Sequence, residues 1–190
     1  MYYYDYQEFR DDTLALAQQC RSFEPDTILG IARGGLMLSQ ILAYALKIRN
    51  LQSIRVESYD EQHKRDTLNL HVDCDLNGCE RVLVVDDIVD SGDTLKQVLS
   101  SLQTLYPDIT FKSASLFYKP TASIQSDYKL KEATEWIEFF WEKDFVLPNS
   151  IISDAFREDS EDLRAFDERK NEKSISFESL LKQLETDGKL

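Results

Sequence analysis

Apolar positions along this chain change period several times, and each change marks an element. Thr27-Ile28-Leu29-Gly30-Ile31-Ala32 is a short strand-like run; after Arg33-Gly34-Gly35, Leu36, Leu38, Ile41, Leu42, Ala45 and Leu46 follow at helical spacing. Residues 82–85 are unbroken valine and leucine, as in a strand covered on both faces. That run gives way at Asp86 to a polar loop, then to a helix with Leu95, Val98, Leu99 and Leu102 on one side. Residues 53–58 alternate like a strand, and residues 110–118 read as another, closed by Lys119-Pro120. Near the start, Asp5 and Glu8 resemble a capping box ahead of a helix carrying Phe9, Leu16, Cys20 and Phe23 up to Pro25, with the preceding tyrosines read as a partly buried surface. Strands alternating with helices predict an α/β fold, a central mostly parallel sheet flanked by helices.

Two stretches resist this pattern. Residues 59–77 are polar without a sustained period, which fits either a mobile lid over a site or a surface excursion containing a small hairpin. Residues 153–173 are dense in charge, with Leu163 and Phe166 at helical spacing; Phe177, Leu181 and Leu184 form a second amphipathic stripe. The expected organisation is one domain over residues 1–150 and an acidic, helical extension over 151–190, with a disordered tail and a regulatory arm as the alternatives.

Composition narrows the function classes. A formal charge of −13 over 190 residues argues against nucleic acid or an anionic membrane as a partner. An anionic substrate must then be held by local amides, a few basic side chains and a metal ion. Cys20, Cys74 and Cys79 are odd in number and lack a C-x-x-C pair, so neither a disulfide framework nor a zinc site is expected. With no signal-like or membrane-spanning stretch, the expected location is the cytoplasm.

The chemistry concentrates where the run at 82–85 ends. Adjacent carboxylates there would sit at the carboxyl end of a central strand, where open α/β sheets bind ligands. Asp90, Ser91, Gly92, Asp93 and Thr94 precede a helix whose first amides are free for an anion, although a plain helix cap after a buried strand has the same composition. Arg33-Gly34-Gly35 is a second strand-to-helix loop, able to lay amides and a guanidinium against phosphate or simply to turn.

Val84-Val85-Asp86-Asp87-Ile88-Val89-Asp90-Ser91-Gly92-Asp93-Thr94 resembles the phosphoribosyl-pyrophosphate (PRPP) signature of type I phosphoribosyltransferases. The resemblance implies that fold, with a small hood and a lid loop, over about residues 6–148. It implies that Asp86 and Asp87 hold the ribose hydroxyls, Asp87 reaching magnesium, and that Ser91, Gly92, Asp93 and Thr94 hold the 5′-phosphate. Asp90 would face purine N7 and exchange a proton there. Arg33 and Gly34 match the pyrophosphate loop, and Ser58-Tyr59 the lid signature. Lys119, and Trp136-Ile137 with a second Trp soon after, resemble the base site of bacterial xanthine-guanine enzymes. Lys119 would address a purine oxygen, Trp136 cover the ring, and the Ile137 carbonyl accept from a 2-amino group. Expected from this are transfer of a 6-oxopurine (guanine, xanthine or hypoxanthine) to PRPP, Mg2+ as cofactor, and a homodimer or homotetramer. The alternatives are a same-fold enzyme for another base and a silent PRPP-sensing regulator. Asp93 departs from the pattern by placing a carboxylate where many members carry Gly, Lys or Arg; the expectation is that it points to solvent.

Overall fold

A computed structural model describes residues 1–57, 69–71 and 74–146 of the chain. The strand-loop-helix units of the sequence appear in order: β1 (Tyr2–Tyr4), α1 (Tyr6–Cys20) with a 3-10 turn Arg21–Phe23, β2 (Thr27–Ala32), α2 (Gly35–Leu46), β3 (Asn50–Glu57), β4 (Asn69–His71), β5 (Arg81–Val89), α3 (Asp93–Leu105), β6 (Thr110–Tyr118), β7 (Tyr128–Glu132), β8 (Ile137–Phe139) and the single turn α4 (Phe140–Lys143). Asp5 caps α1 as its sequence suggests, its carboxylate accepting from the Glu8 amide at 2.9 Å.

Among the described residues β4-β3-β2-β5-β6-β7 form one six-stranded sheet, in which only the β3–β4 pair is antiparallel. Val82, Leu83, Val84 and Val85 are fully buried because both faces of β5 are covered. Leu83 and Val85 pack with Phe9, Leu16, Leu38 and Leu42 of α1 and α2, while Val82 and Val84 pack with Leu95, Val98 and Leu102 of α3. Met1–Phe145 form one compact unit.

β1 and β8 make a separate two-stranded parallel sheet, registered Tyr2↔Ile137 to Tyr4↔Phe139. The N-terminal tyrosines, expected from sequence to form a partly buried surface, are partly buried and also form a strand, which the sequence did not show. Tyr4 is fully buried, its ring 4.9 Å from Phe117 and 5.9 Å from Phe139. Aromatic side chains suit a half-covered strand, but three residues are too few to show a period. β7 was equally hidden: Tyr-Lys-Leu-Lys-Glu is a sheet edge, where charged side chains are at home. The polar stretch after β3 returns as β4, so a hairpin lies at its base. Ser58, Tyr59 and His63, together with the 151–190 extension, lie outside the described residues.

Candidate active site

β2 pairs with β5 only as far as Gly30↔Val85, after which β2 continues against β3 and β5 against β6. The two strands part toward their carboxyl ends, and Asp86 and Asp87 are the β5 residues directly after the last β2 pair. Such a divergence opens a crevice at the strand ends. Contrary to the sequence reading, the strand does not stop at Asp86. Ser115, Phe117 and Tyr118 of β6 continue the ladder to Val89, because Ile88 and Val89 still have apolar partners. Side-chain alternation slips by one residue across the acids: Ile88 joins the α1/α2 side with Val85, and Val89 the α3 side with Val84. Two amides turn to side chains here, Asp87 N–H donating to Asp86 Oδ1 at 3.1 Å and Ile88 N–H to Asp87 Oδ1 at 2.7 Å.

Both carboxyls are held above the ordinary carboxylate range. For Asp86 burial is the larger cause and the neighbouring Asp87 charge the second; burial also raises Asp87, against hydrogen bonds that favour its charged form. An acidic pair with Asp87 buried and Asp86 partly exposed suits a cationic or hydroxyl-bearing ligand.

The loop from β2 to α2 closes one wall of the crevice. A Cβ on Gly34 would fall on Asp87 Oδ2, 2.6 Å from Cγ and 2.7 Å from Oδ1. One on Gly35 would strike the Val85 carbonyl and lie 2.9 Å from Asp86 Cα. The glycines let the start of α2 rest directly on the acidic end of β5, with the exposed Arg33 just before them. The Ala32–Arg33 peptide is cis.

Beyond β5, Gly92 adopts φ 87° at the N-cap of α3, with the Ile124 amide nitrogen 2.8 Å from where a Cβ would stand. Only glycine fits that conformation and that approach. The Asp93 amide donates to Ser91 Oγ at 3.2 Å, and the Asp93 carboxylate accepts from Ser123 Oγ at 3.4 Å. The extra acid of this loop is thus exposed but turned sideways, toward the segment after β6. Ser123 also donates its amide to the Ser91 carbonyl at 2.7 Å, so the loops after β5 and β6 brace each other.

Lys119, at the end of β6, donates its amide to the Val89 carbonyl at 2.9 Å, and its ammonium stands 2.5 Å from Asp90 Oδ1. The carbonyl of Lys119 accepts from Gln125 Nε2 at 2.8 Å. The Ala133 amide returns to the Tyr118 carbonyl at 2.8 Å, bringing the chain back beside Lys119 shortly before Trp136. Trp136 is 49% exposed, while Ile137 is buried. The second tryptophan of the motif differs: Trp141 stacks on Phe139 at 4.5 Å and packs, partly buried, against the core.

The structure therefore gathers Gly34, Asp86 and Asp87 at the β2/β5 divergence, and Asp90 to Thr94 with Lys119 at the ends of β5 and β6. Ser123 and Gly35 were not singled out from sequence; a serine in a loop carries no pattern, and Gly35 was visible only as part of the turn. Among the described residues no group of three or more His, Cys, Asp or Glu side chains is arranged to hold a metal, and no helix is long and apolar enough to cross a membrane.

Comparison with known proteins gives the family. Residues 3–144 match the family model described as "Phosphoribosyl transferase domain". A xanthine-guanine phosphoribosyltransferase of Cereibacter sphaeroides is 32% identical over 150 residues, covering 74% of this chain and 86% of that protein. The solved xanthine-guanine-hypoxanthine phosphoribosyltransferase of Helicobacter pylori superimposes with a TM-score of 0.71 at 38% identity, over 75% of this chain and 94% of that one. A purine phosphoribosyltransferase from Pyrococcus horikoshii gives a TM-score of 0.66 at 32% identity, over 78% and 98%. A family model that covers three quarters of the chain and a relative at 32% identity place it without ambiguity: this chain belongs to the phosphoribosyltransferase family.

Proposed function

We propose that the protein joins a 6-oxopurine to PRPP, releasing pyrophosphate and forming the nucleoside 5′-monophosphate. The observation that carries the choice of base is the Lys119–Asp90 pair at 2.5 Å, a donor and an acceptor side by side at the ends of β5 and β6. A 6-oxopurine presents O6 and N7 on one edge, so Lys119 matches the oxygen and Asp90 the ring nitrogen. Adenine would turn an amino donor toward an ammonium donor, a mismatch. By their names, the Cereibacter sphaeroides relative acts on xanthine and guanine and the Helicobacter pylori one on xanthine, guanine and hypoxanthine.

Bond breaking at the anomeric carbon builds positive charge on the ribose and negative charge on the departing pyrophosphate, so positioning and electrostatics dominate. In this reading Arg33 and the Gly34 backbone receive the pyrophosphate, Asp86 and Asp87 take the ribose hydroxyls, and Ser91, Gly92, Asp93 and Thr94 the 5′-phosphate. Asp90 exchanges the N7 proton, Trp136 covers the base, and the Ile137 carbonyl accepts from a 2-amino group. Ser58 and Tyr59 belong to the closing lid. The carboxylate oxygens of the acidic pair are hard donors that would suit Mg2+, with Asp87 as the residue that would hold it. Magnesium would supply charge neutralisation on the pyrophosphate.

The reading further takes residues 1–150 as the transferase domain and 151–190 as an extension. It assigns a cytoplasmic protein, which suits three cysteines outside any disulfide, and a homodimer or homotetramer, which suits exposed Leu36 and Tyr44 on α2. The test is pyrophosphate release with guanine, xanthine, hypoxanthine, adenine and orotate in turn. Release with the oxopurines alone is expected. Turnover with adenine or orotate would replace the base assignment, and PRPP binding with no release would make the protein a sensor.

A further inference from the structure

A polar network outside the crevice ties the small sheet to the rest of the fold. Lys131 on β7 places its ammonium 2.7 Å from Asp12 Oδ2 and 3.3 Å from Glu8 Oε1, two carboxylates one turn apart on the same face of α1. Each carboxylate also receives a tyrosine from β1: the Tyr2 hydroxyl donates to Glu8 Oε1, and the Tyr4 hydroxyl to Asp12 Oδ2 at 2.8 Å. The Lys131 ammonium lies 5.4 Å from the Tyr4 ring centroid. Burial and the bond to Glu8 push the Tyr2 phenol up to about 12, and burial and the bond to Asp12 raise Tyr4 further, so both stay donors at neutral pH.

β1 carries this anchorage to the base site. A ribbon of two three-residue strands has little stability of its own. Its ladder starts with the Tyr2 amide donating to the Trp136 carbonyl at 2.8 Å and continues with Tyr2 opposite Ile137. Wherever Tyr2 is held, the backbone of Trp136 and Ile137 must follow. One cation compensates two partly buried carboxylates that otherwise repel.

We propose that Lys131 is a positioning residue for the purine: through Glu8–Tyr2 and Asp12–Tyr4 it sets the height of the β1/β8 sheet, and with it Trp136, over the base. This rests on the oxopurine reading above. Among the described residues the hydrogen bonds and ion pairs of this network run between β1, α1 and β7, not to the acidic pair or the loop after β5, so purine binding should respond to it more than PRPP binding does.

The test is Lys131→Met alongside Lys131→Arg and Tyr2→Phe, with KM for purine and for PRPP measured separately. Lys131→Met is expected to raise purine KM roughly tenfold, the scale of coupling within one polar network, with PRPP KM within about twofold. Arg keeps the cation and restores most of the loss. Trp136 and Trp141 are the only tryptophans of the chain, so tryptophan emission and its quenching by nucleotide report on this sheet directly. Lys131→Met should shift that emission while far-UV circular dichroism stays unchanged. Should Lys131→Met fail to fold, Tyr2→Phe, which removes one hydroxyl, should raise purine KM by a smaller factor. An unchanged purine KM in the folded variants, or equal rises in both KM values, overturns the proposal. A wild-type protein with no oxopurine-dependent release overturns the underlying reading instead.

Discussion

Gly34→Ala tests whether the start of α2 must touch the acidic pair. At Gly34 the backbone is helical, φ −54° and ψ −48°, so alanine suits the conformation and would by itself stabilise by about 0.4–1 kcal/mol through the unfolded chain. Its Cβ, however, would stand 2.6 Å from Asp87 Cγ, where ordinary contact begins near 3.4 Å. The carboxylate must therefore retreat by at least about 0.8 Å at Cγ, the difference of those two distances, and by more at Oδ2, the nearest atom. Its bond to the Ile88 amide, 2.7 Å long, would stretch or break, and a buried amide left unpaired costs about 1–3 kcal/mol. An off-rotamer side chain adds about 0.5–1.5 kcal/mol. Net destabilisation of about 1–3 kcal/mol follows, or roughly 2–12 °C in Tm for a domain of this size. A displacement near 1 Å in a positioning group is worth about 10²-fold in rate, and kcat/KM for PRPP should fall on that scale. Steady-state kinetics and thermal unfolding give the two readings. Gly78→Ala is the control: φ is +81° there but nothing lies within 4 Å, so stability should drop while kcat/KM holds. A Gly34→Ala enzyme within twofold of wild type would refute the close approach as a functional constraint.

Asp90→Asn should lower kcat by roughly 10²- to 10⁴-fold, the usual scale of positioned acid–base help; near wild-type turnover removes Asp90 from the proton transfer. Asp87→Asn should abolish most activity yet stabilise the fold at alkaline pH. The acidic pair binds protons more tightly folded than unfolded, so wild-type stability falls as pH rises from about 4 through the raised value of the pair. Asn at 87 should flatten that fall by on the order of 1–3 kcal/mol, read from denaturant midpoints at pH 5 and pH 8; parallel curves for the two proteins contradict it. Ser123→Ala removes the hydroxyl that meets Asp93, freeing that carboxylate beside the proposed phosphate site. PRPP KM should rise a few-fold and Asp93→Asn should suppress the rise, a double-mutant cycle whose additivity would argue against the coupling.

What the sequence by itself determined was local. Thr27–Ala32 and Thr110–Tyr118 are strands over the residues their apolar runs mark, and Leu95, Val98 and Leu102 are buried on α3, because such elements follow from burial at a fixed period. The motif from Val84 to Thr94 was legible for the same reason, being contiguous. The tertiary structure decided whatever depends on residues far apart in the chain. β1 finds β8 across more than a hundred residues, and only then is Tyr4 a core residue and Tyr2 a partner of the Trp136 carbonyl. Gly34 meets Asp87, Lys119 meets Asp90, and Asp93 turns to Ser123 because the order β2-β5-β6 lays their loops side by side. A lysine on a polar edge strand has no signature at all. Lys131 acquires its place only when α1, β1 and β7 converge on it, since the charge it compensates belongs to another element.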